Sequence, residues 1–173
     1  MDIRIPYGKQ YIDQDDIEAV TAVLRSPFLT QGPVVEEFES RIADYCGVRY
    51  AVAFNSGTSA LHAAMFAAGA GPGDEVITSP LTFVATANSA VYLGAKPVFV
   101  DIDPVTWCID ADKIARAVTD KTKVIIPVDY AGFPVDIQAI STLAHRQDIV
   151  VIEDAAHAWG PDAMGYLWAG RQI

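Results

Sequence analysis

Ala51-Val52-Ala53-Phe54-Asn55-Ser56-Gly57-Thr58-Ser59-Ala60-Leu61-His62 runs from an apolar stretch, through a corner of small polar residues, into an alanine-rich helix. Gly57 lets the backbone approach a ligand closely, and the first N–H groups of a helix have no partner inside it. Free donors and the helix dipole point the same way at such a corner, which makes it a ready anion site. An equally valid reading is a capped helix start with Ser56 as N-cap. The rest of the chain has to choose.

Outward from that corner, strands alternate with helices. Strands are expected at Tyr50–Phe54, Glu75–Thr78, Pro97–Asp101, Val124–Val128 and Ile149–Glu153, and helices between them at Thr58–Ala68, Phe83–Leu93, Ala111–Val118 and Val135–His145. The strands are mostly continuous Val/Ile/Ala runs, as expected when both faces are covered. The fold class is therefore α/β, a mainly parallel sheet with flanking helices. Before residue 49 the pattern is helical. Asp13 is placed to cap a helix through Leu24 with an apolar face of Ile17, Val20, Val23 and Leu24. A second helix opens at Pro33, carries Val35, Phe38, Ile42 and Tyr45, and stops at Gly47. Between them lies the turn-rich Ser26-Pro27-Phe28-Leu29-Thr30-Gln31-Gly32.

The chain has 173 residues, 12 basic and 22 acidic, for a net charge of −10. That field argues against nucleic acid or an anionic membrane as partner, so any phosphate must be held locally by backbone donors. No apolar stretch is long enough to span a bilayer, and no leader pattern opens the chain. Cys46 and Cys108 are read as reduced, buried apolar side chains in a cytoplasmic protein.

Open α/β sheets bind ligands at the carboxyl ends of their strands. The residues there are Asn55–Thr58, Ser79–Phe83, Asp101–Asp103, Asp129-Tyr130 and Asp154–His157. Phe83 leads a helix at the same end as Gly57, where it can stack on a flat ring or serve as an ordinary core aromatic. Asp154 closes the most apolar strand, and a carboxylate there needs a partner. It could be an N-cap, a metal ligand or half of a salt bridge. His157 could orient it or lie against a ligand. As a metal pair the two fall short of ligands: His145 lies across a strand, no cysteine is near, and no metal is expected. An anion cup, a flat aromatic and a strand-end acid together suit a phosphorylated aromatic cofactor. Pyridoxal 5′-phosphate can use all three, its pyridine nitrogen needing a carboxylate to stay protonated. A Rossmann-type nucleotide binder is disfavoured, because no Gly-x-Gly-x-x-Gly follows the first strand.

The segments Leu29–Pro33, Phe54–Leu61, Gly73–Thr78, Thr82–Asn88, Asp101–Pro104 and Glu153–Ala158, in that order, resemble the DegT/DnrJ/EryC1/StrS family of pyridoxal-phosphate-dependent nucleotide-sugar aminotransferases. Tyr7, Leu29–Gly32, Phe83–Asn88 and Val128–Gly132 look most like the branch serving pseudaminic-acid synthesis. The resemblance implies the large domain of fold type I (aspartate-aminotransferase-like), truncated. It implies transfer of an amino group from glutamate to C4 of a UDP-linked 4-keto-6-deoxy-N-acetylhexosamine, in a homodimeric full-length parent. It puts Gly57 and Thr58 on the cofactor phosphate, Phe83 on the ring face, Asp154 at the ring nitrogen and His157 near the ring's oxygen side. Tyr7, Pro27, Phe28, Leu29 and Thr30 would touch the sugar nucleotide. Residues 1–48 would be a helical arm, 49–158 an incomplete cofactor-binding domain and 159–173 a divergent tail.

One expected residue is missing. Family chemistry needs a Schiff-base lysine, and none of Lys9, Lys96, Lys113, Lys121 or Lys123 matches its position. The likeness is expected to stop after Ala158, so the chain reads as an N-terminal fragment with a frameshifted end, inactive alone. The competing readings are a non-catalytic fragment that binds cofactor or a partner subunit, and the family's sugar-dehydratase branch, in which a histidine replaces that lysine.

Overall fold

The computed structural model describes residues 10–158. Four parallel strands, β1 (Glu75–Thr78), β2 (Lys96–Phe99), β3 (Thr122–Ile126) and β4 (Val150–Val151), lie in the order β2-β1-β3-β4. Six α-helices accompany them: α1 (Gln14–Leu24), α2 (Pro33–Cys46), α3 (Gly57–Ala67), α4 (Val84–Tyr92), α5 (Ala111–Ala117) and α6 (Ile137–His145). No helix among the described residues is long and apolar enough to cross a membrane.

Strand residues alternate between two cores, because successive side chains leave opposite faces of a sheet. Val76, Val124 and Ile126 are buried with Met65 of α3 and Ala90 of α4, and Val150 and Ile152 join them. On the other face Ile77, Ile125 and Val151 meet Ile114 of α5 and Ile140 and Ala144 of α6. Burying each such Val or Ile contributes roughly 1.5–3 kcal/mol. The three-layer arrangement follows: α3 and α4 on one face, α5 and α6 on the other.

Local chemistry sets the helix limits as expected. Asp13 accepts from the Asp15 and Asp16 amides, and Asp16 reaches back to the Asp13 N–H at 3.1 Å, a complete capping box for α1. Pro33 starts α2, and Gly47 ends it in the left-handed conformation (φ 65°) that an L-residue resists. One expectation fails. Tyr50–Phe54 is not a strand: no neighbouring strand pairs with it among the described residues. The Ala53 N–H donates instead to the Glu39 carboxylate at 2.8 Å. Apolar composition makes a segment fit for a sheet, but only a ladder partner makes it a strand. The apolar faces of α1 and α2 lie uncovered, with Ile17, Val20, Leu24, Val35 and Phe38 exposed and no buried residue in α1. The remaining elements match the expected ones with small shifts at their ends.

Alternation continues past β4 and separates two adjacent acids. Glu153 follows Val151 toward the α5/α6 side, while Asp154 follows Ile152 toward α3 and α4. Glu153 Oε1 is buried without a hydrogen-bond partner among the described residues. Burial, reinforced by the neighbouring Asp129 charge, pushes the Glu153 carboxyl from 4.5 up to about 7. Within that window the folded chain keeps a proton that the unfolded chain has released. Its contribution to stability is therefore full below the unfolded value and is lost as pH rises to about 7. In Glu153→Gln this term vanishes. Urea unfolding should show the variant gaining on the parent chain as pH climbs from 5 to 8, and a constant difference would refute the assignment.

Candidate functional site

The strand order reverses direction between β1 and β3, since α4 leads outward to β2 and α5 returns across the sheet to β3. Carboxyl ends diverge at such a switch point and leave a crevice. A cleft of about 220 Å³ occupies this end of the sheet. Its walls come from the start of α3 (Gly57, Thr58), the turn before α4 (Thr82, Phe83), the segment after β3 (Val128–Ala131) and the segment after β4 (Asp154, Ala156, His157). All five expected cofactor contacts, Gly57, Thr58, Phe83, Asp154 and His157, line it.

The corner at Asn55–Leu61 is a capped helix start that leaves two N–H groups beside the cleft. Ser56 caps α3, its hydroxyl accepting from the Ser59 N–H at 3.2 Å. Ser59 in turn donates to Asn55 Oδ1 at 2.9 Å, which fixes the turn. The cap consumes the third N–H of the helix and leaves those of Gly57 and Thr58 without an acceptor among the described residues. Both donors border the cleft.

Phe83 stands just before α4, with 73% of its surface exposed. That removes the core-aromatic reading, because its ring is available on the cleft wall. One turn later Thr86 is fully buried, and its hydroxyl donates to Asp154 Oδ2 at 2.7 Å. Asp154 is itself buried and extends the β3–β4 pairing, its N–H donating to the Pro127 carbonyl at 2.9 Å and its carbonyl accepting from Asp129 N–H at 3.1 Å. It is therefore neither an N-cap nor half of a salt bridge among the described residues, and no group of three metal-binding side chains occurs there.

Asp129 closes the floor. Its Oδ1 accepts from the Val135 N–H at 3.0 Å, while Oδ2 is buried without a partner among the described residues. Burial is the larger cause that pushes this carboxyl up, the Asp154 charge adds to it, and the Val135 N–H opposes. The turn that follows is tight: Ala131 and Gly132 take φ of 54° and 86°. A β-carbon at Gly132 would meet the His157 carbonyl oxygen at 2.9 Å, so only glycine lets this turn close on the His157 backbone. Tyr130 lines the cleft on one side and stacks on Trp107 on the other, with ring centroids 6.2 Å apart.

Among the described residues, the expected sugar-nucleotide contacts do not line this cleft. Pro27, Phe28, Leu29 and Thr30 form an exposed loop between α1 and α2, and Tyr7 lies outside the described residues. Thr86 and Tyr130 were given no role by sequence reasoning. A signal for Thr86 existed: it and Ser89 are polar residues on the face of α4 that also buries Ala85 and Ala90. No lysine lines the cleft among the described residues. Lys96 and Lys121 stand at the opposite, amino end of the sheet, and Lys113 donates to the Ile102 carbonyl at 2.7 Å.

Among known proteins, the chain is 48% identical over 154 residues to the spore coat polysaccharide biosynthesis protein SpsC of Bacillus subtilis (strain 168), covering 89% of this chain and 40% of SpsC. It is 46% identical over 162 residues to the UDP-4-amino-4-deoxy-L-arabinose–oxoglutarate aminotransferase of Shewanella sediminis (strain HAW-EB3), covering 94% of this chain and 42% of that enzyme. The chain thus spans about two fifths of the length of these relatives. Among solved structures, NtdA of Bacillus subtilis with bound cofactor PMP superposes with a TM-score of 0.80 at 40% identity, covering 86% of this chain and 35% of that one. The fold is that of the fold type I pyridoxal-phosphate-dependent aminotransferases. The DegT/DnrJ/EryC1/StrS aminotransferase family matches residues 10–173, past Ala158 where the likeness was expected to stop, and the chain belongs to that family.

Proposed function

We propose that this chain forms the cofactor-seating part of a pyridoxal-phosphate-dependent nucleotide-sugar aminotransferase, with glutamate as amino donor. The observation that carries this reading is the meeting, in one cleft, of two helix N–H groups without an acceptor among the described residues, an exposed aromatic ring and a buried, hydrogen-bonded carboxylate. Those three features fit the three parts of pyridoxal 5′-phosphate. When bound, that group supplies an aldehyde for amine exchange and a cationic ring that accepts electron density from the reacting carbon.

The chain's own residues then have distinct tasks. The Gly57 and Thr58 N–H groups hold the phosphate, aided by the α3 dipole. Phe83 stacks on the ring and excludes water from that face. Asp154 keeps the proton on the ring nitrogen, and each pKa unit by which it raises that nitrogen favours the cationic form by about 1.4 kcal/mol. His157 lies toward the ring's oxygen side. Tyr7 and the Pro27–Thr30 loop serve the sugar nucleotide, which is a UDP-linked 4-keto-6-deoxy-N-acetylhexosamine of the pseudaminic-acid type. That loop does not line the cleft, so its role belongs to a homodimer, where it would reach a neighbouring subunit's site. The exposed Phe28 and Leu29 support that arrangement. Two buried, free cysteines fit a cytoplasmic setting.

One observation favours a second reading for these 173 residues taken alone. With no lysine on the cleft among the described residues, they can hold the cofactor without exchanging its amino group. Equilibrium dialysis should show pyridoxal 5′-phosphate binding at least tenfold tighter than phosphate-free pyridoxal. Equal affinities would remove the phosphate cup. Incubation with glutamate should yield no 2-oxoglutarate beyond that from free cofactor; product above that level, lost on replacing one of the chain's lysines, would show that the amine lies within this chain. In a longer parent carrying this segment, Asp154→Ala should cost at least a hundredfold in kcat while the folded protein survives, and near-normal kcat would sink the ring-nitrogen role.

A further inference from the structure

We infer that Thr86 is a positioning residue for Asp154, and that Thr82 and Thr86 form a one-way hydrogen-bond relay fixing which carboxylate oxygen faces the ligand. The inference rests on the cofactor reading above.

Thr86 is fully buried on α4, at a position where valine would have the same shape and no polar atom to satisfy. A buried hydroxyl costs free energy unless it is bonded, so its presence needs an account. Its Oγ1 lies 2.7 Å from Asp154 Oδ2 and 2.7 Å from Thr82 Oγ1. An ionised carboxylate only accepts, and a threonine hydroxyl has one proton. The Thr86 proton is therefore committed to Asp154, and Thr82 must donate to Thr86. Direction follows from composition: Thr82 to Thr86 to Asp154, with only lone pairs of Thr82 left toward the cleft.

The relay also decides between the two oxygens of Asp154. Oδ2 is held by a short, charge-assisted bond. Oδ1 has one donor among the described residues, the Ala156 N–H at 3.4 Å, beyond the usual range for such bonds. Oδ1 is thus the oxygen left to accept from a ligand. Ser89 steadies the same turn, donating to the Thr86 carbonyl at 2.7 Å. Phe83, which offers the stacking ring, sits between Thr82 and Thr86, so one helical turn sets both the ring plane and the carboxylate angle.

The test compares two probes in equilibrium dialysis with the 173-residue chain: pyridoxal 5′-phosphate, and its carbocyclic analogue with C–H in place of the ring nitrogen. The parent chain should prefer the nitrogen-bearing probe by about tenfold or more. Thr86→Val should reduce that preference to threefold or less while binding the analogue as before, which shows an intact cleft. Thr86→Ser, which keeps the hydroxyl, should restore the preference. Should the Thr86→Val chain fail to fold, Thr82→Val carries the test, with an expected preference below that of the parent. If the parent prefers the nitrogen-bearing probe and the variants that lack either hydroxyl do so equally, the positioning role is overturned and the cofactor reading stands. The role is overturned also if Thr86→Ser behaves like Thr86→Val. If the parent shows no preference, the cofactor reading falls and the relay with it.

Discussion

A carboxylate buried at the end of a parallel strand costs free energy wherever its oxygens lack donors, and the cleft is arranged around the donor that Asp154 does have. Thr86 supplies the donor from α4, and the β3–β4 pairing fixes the Asp154 backbone at both its N–H and its carbonyl. The helix turn carrying Thr86 is also the one that begins at Phe83. Holding the acid therefore fixes the aromatic wall. The strand order brings α3 to the same face, so the Gly57 and Thr58 N–H groups border the same space.

Three acids lie within this edge of the sheet, and their surroundings separate them. Asp154 has a hydroxyl donor, Asp129 has one backbone donor for two oxygens, and Glu153 Oε1 has none among the described residues. The electrostatic consequence follows the same order of support: burial pushes Asp129 up, and pushes Glu153 as far as about 7. Adjacent residues with the same functional group thus divide into a held acceptor and a proton-retaining acid. The alternation of the strand, which sends Glu153 and Asp154 to opposite faces, is the cause.

The outer helices pose a different question of support. α1 and α2 have the caps and apolar stripes of stable helices, yet Ile17, Val20, Leu24 and Phe38 stay exposed, as do Phe28 and Leu29 between them. Helices of this length draw most of their stability from packing rather than propensity. Exposed apolar side chains repeated along two helices favour association. They fit the proposed dimer and also make the isolated chain prone to aggregate.

Sequence by itself determined the α/β class, the ends of nearly every helix, and the five residues Gly57, Thr58, Phe83, Asp154 and His157 that line the cleft. Those features were legible because they rest on local chemistry: caps, turn formers, periodicity, and the rule that strand ends bear ligands. Tertiary structure decided what depends on a partner. Tyr50–Phe54 had the composition of a strand and, among the described residues, lacked a neighbour to pair with. Thr86 looked like one polar residue in a helix, because its partner Asp154 lies 68 residues away in the chain. Glu153 carried no separate reading in the sequence, because its burial depends on the face to which the pleat sends it. Propensity is a property of a segment, whereas hydrogen-bond satisfaction and burial belong to pairs of segments, and only the fold brings those pairs together.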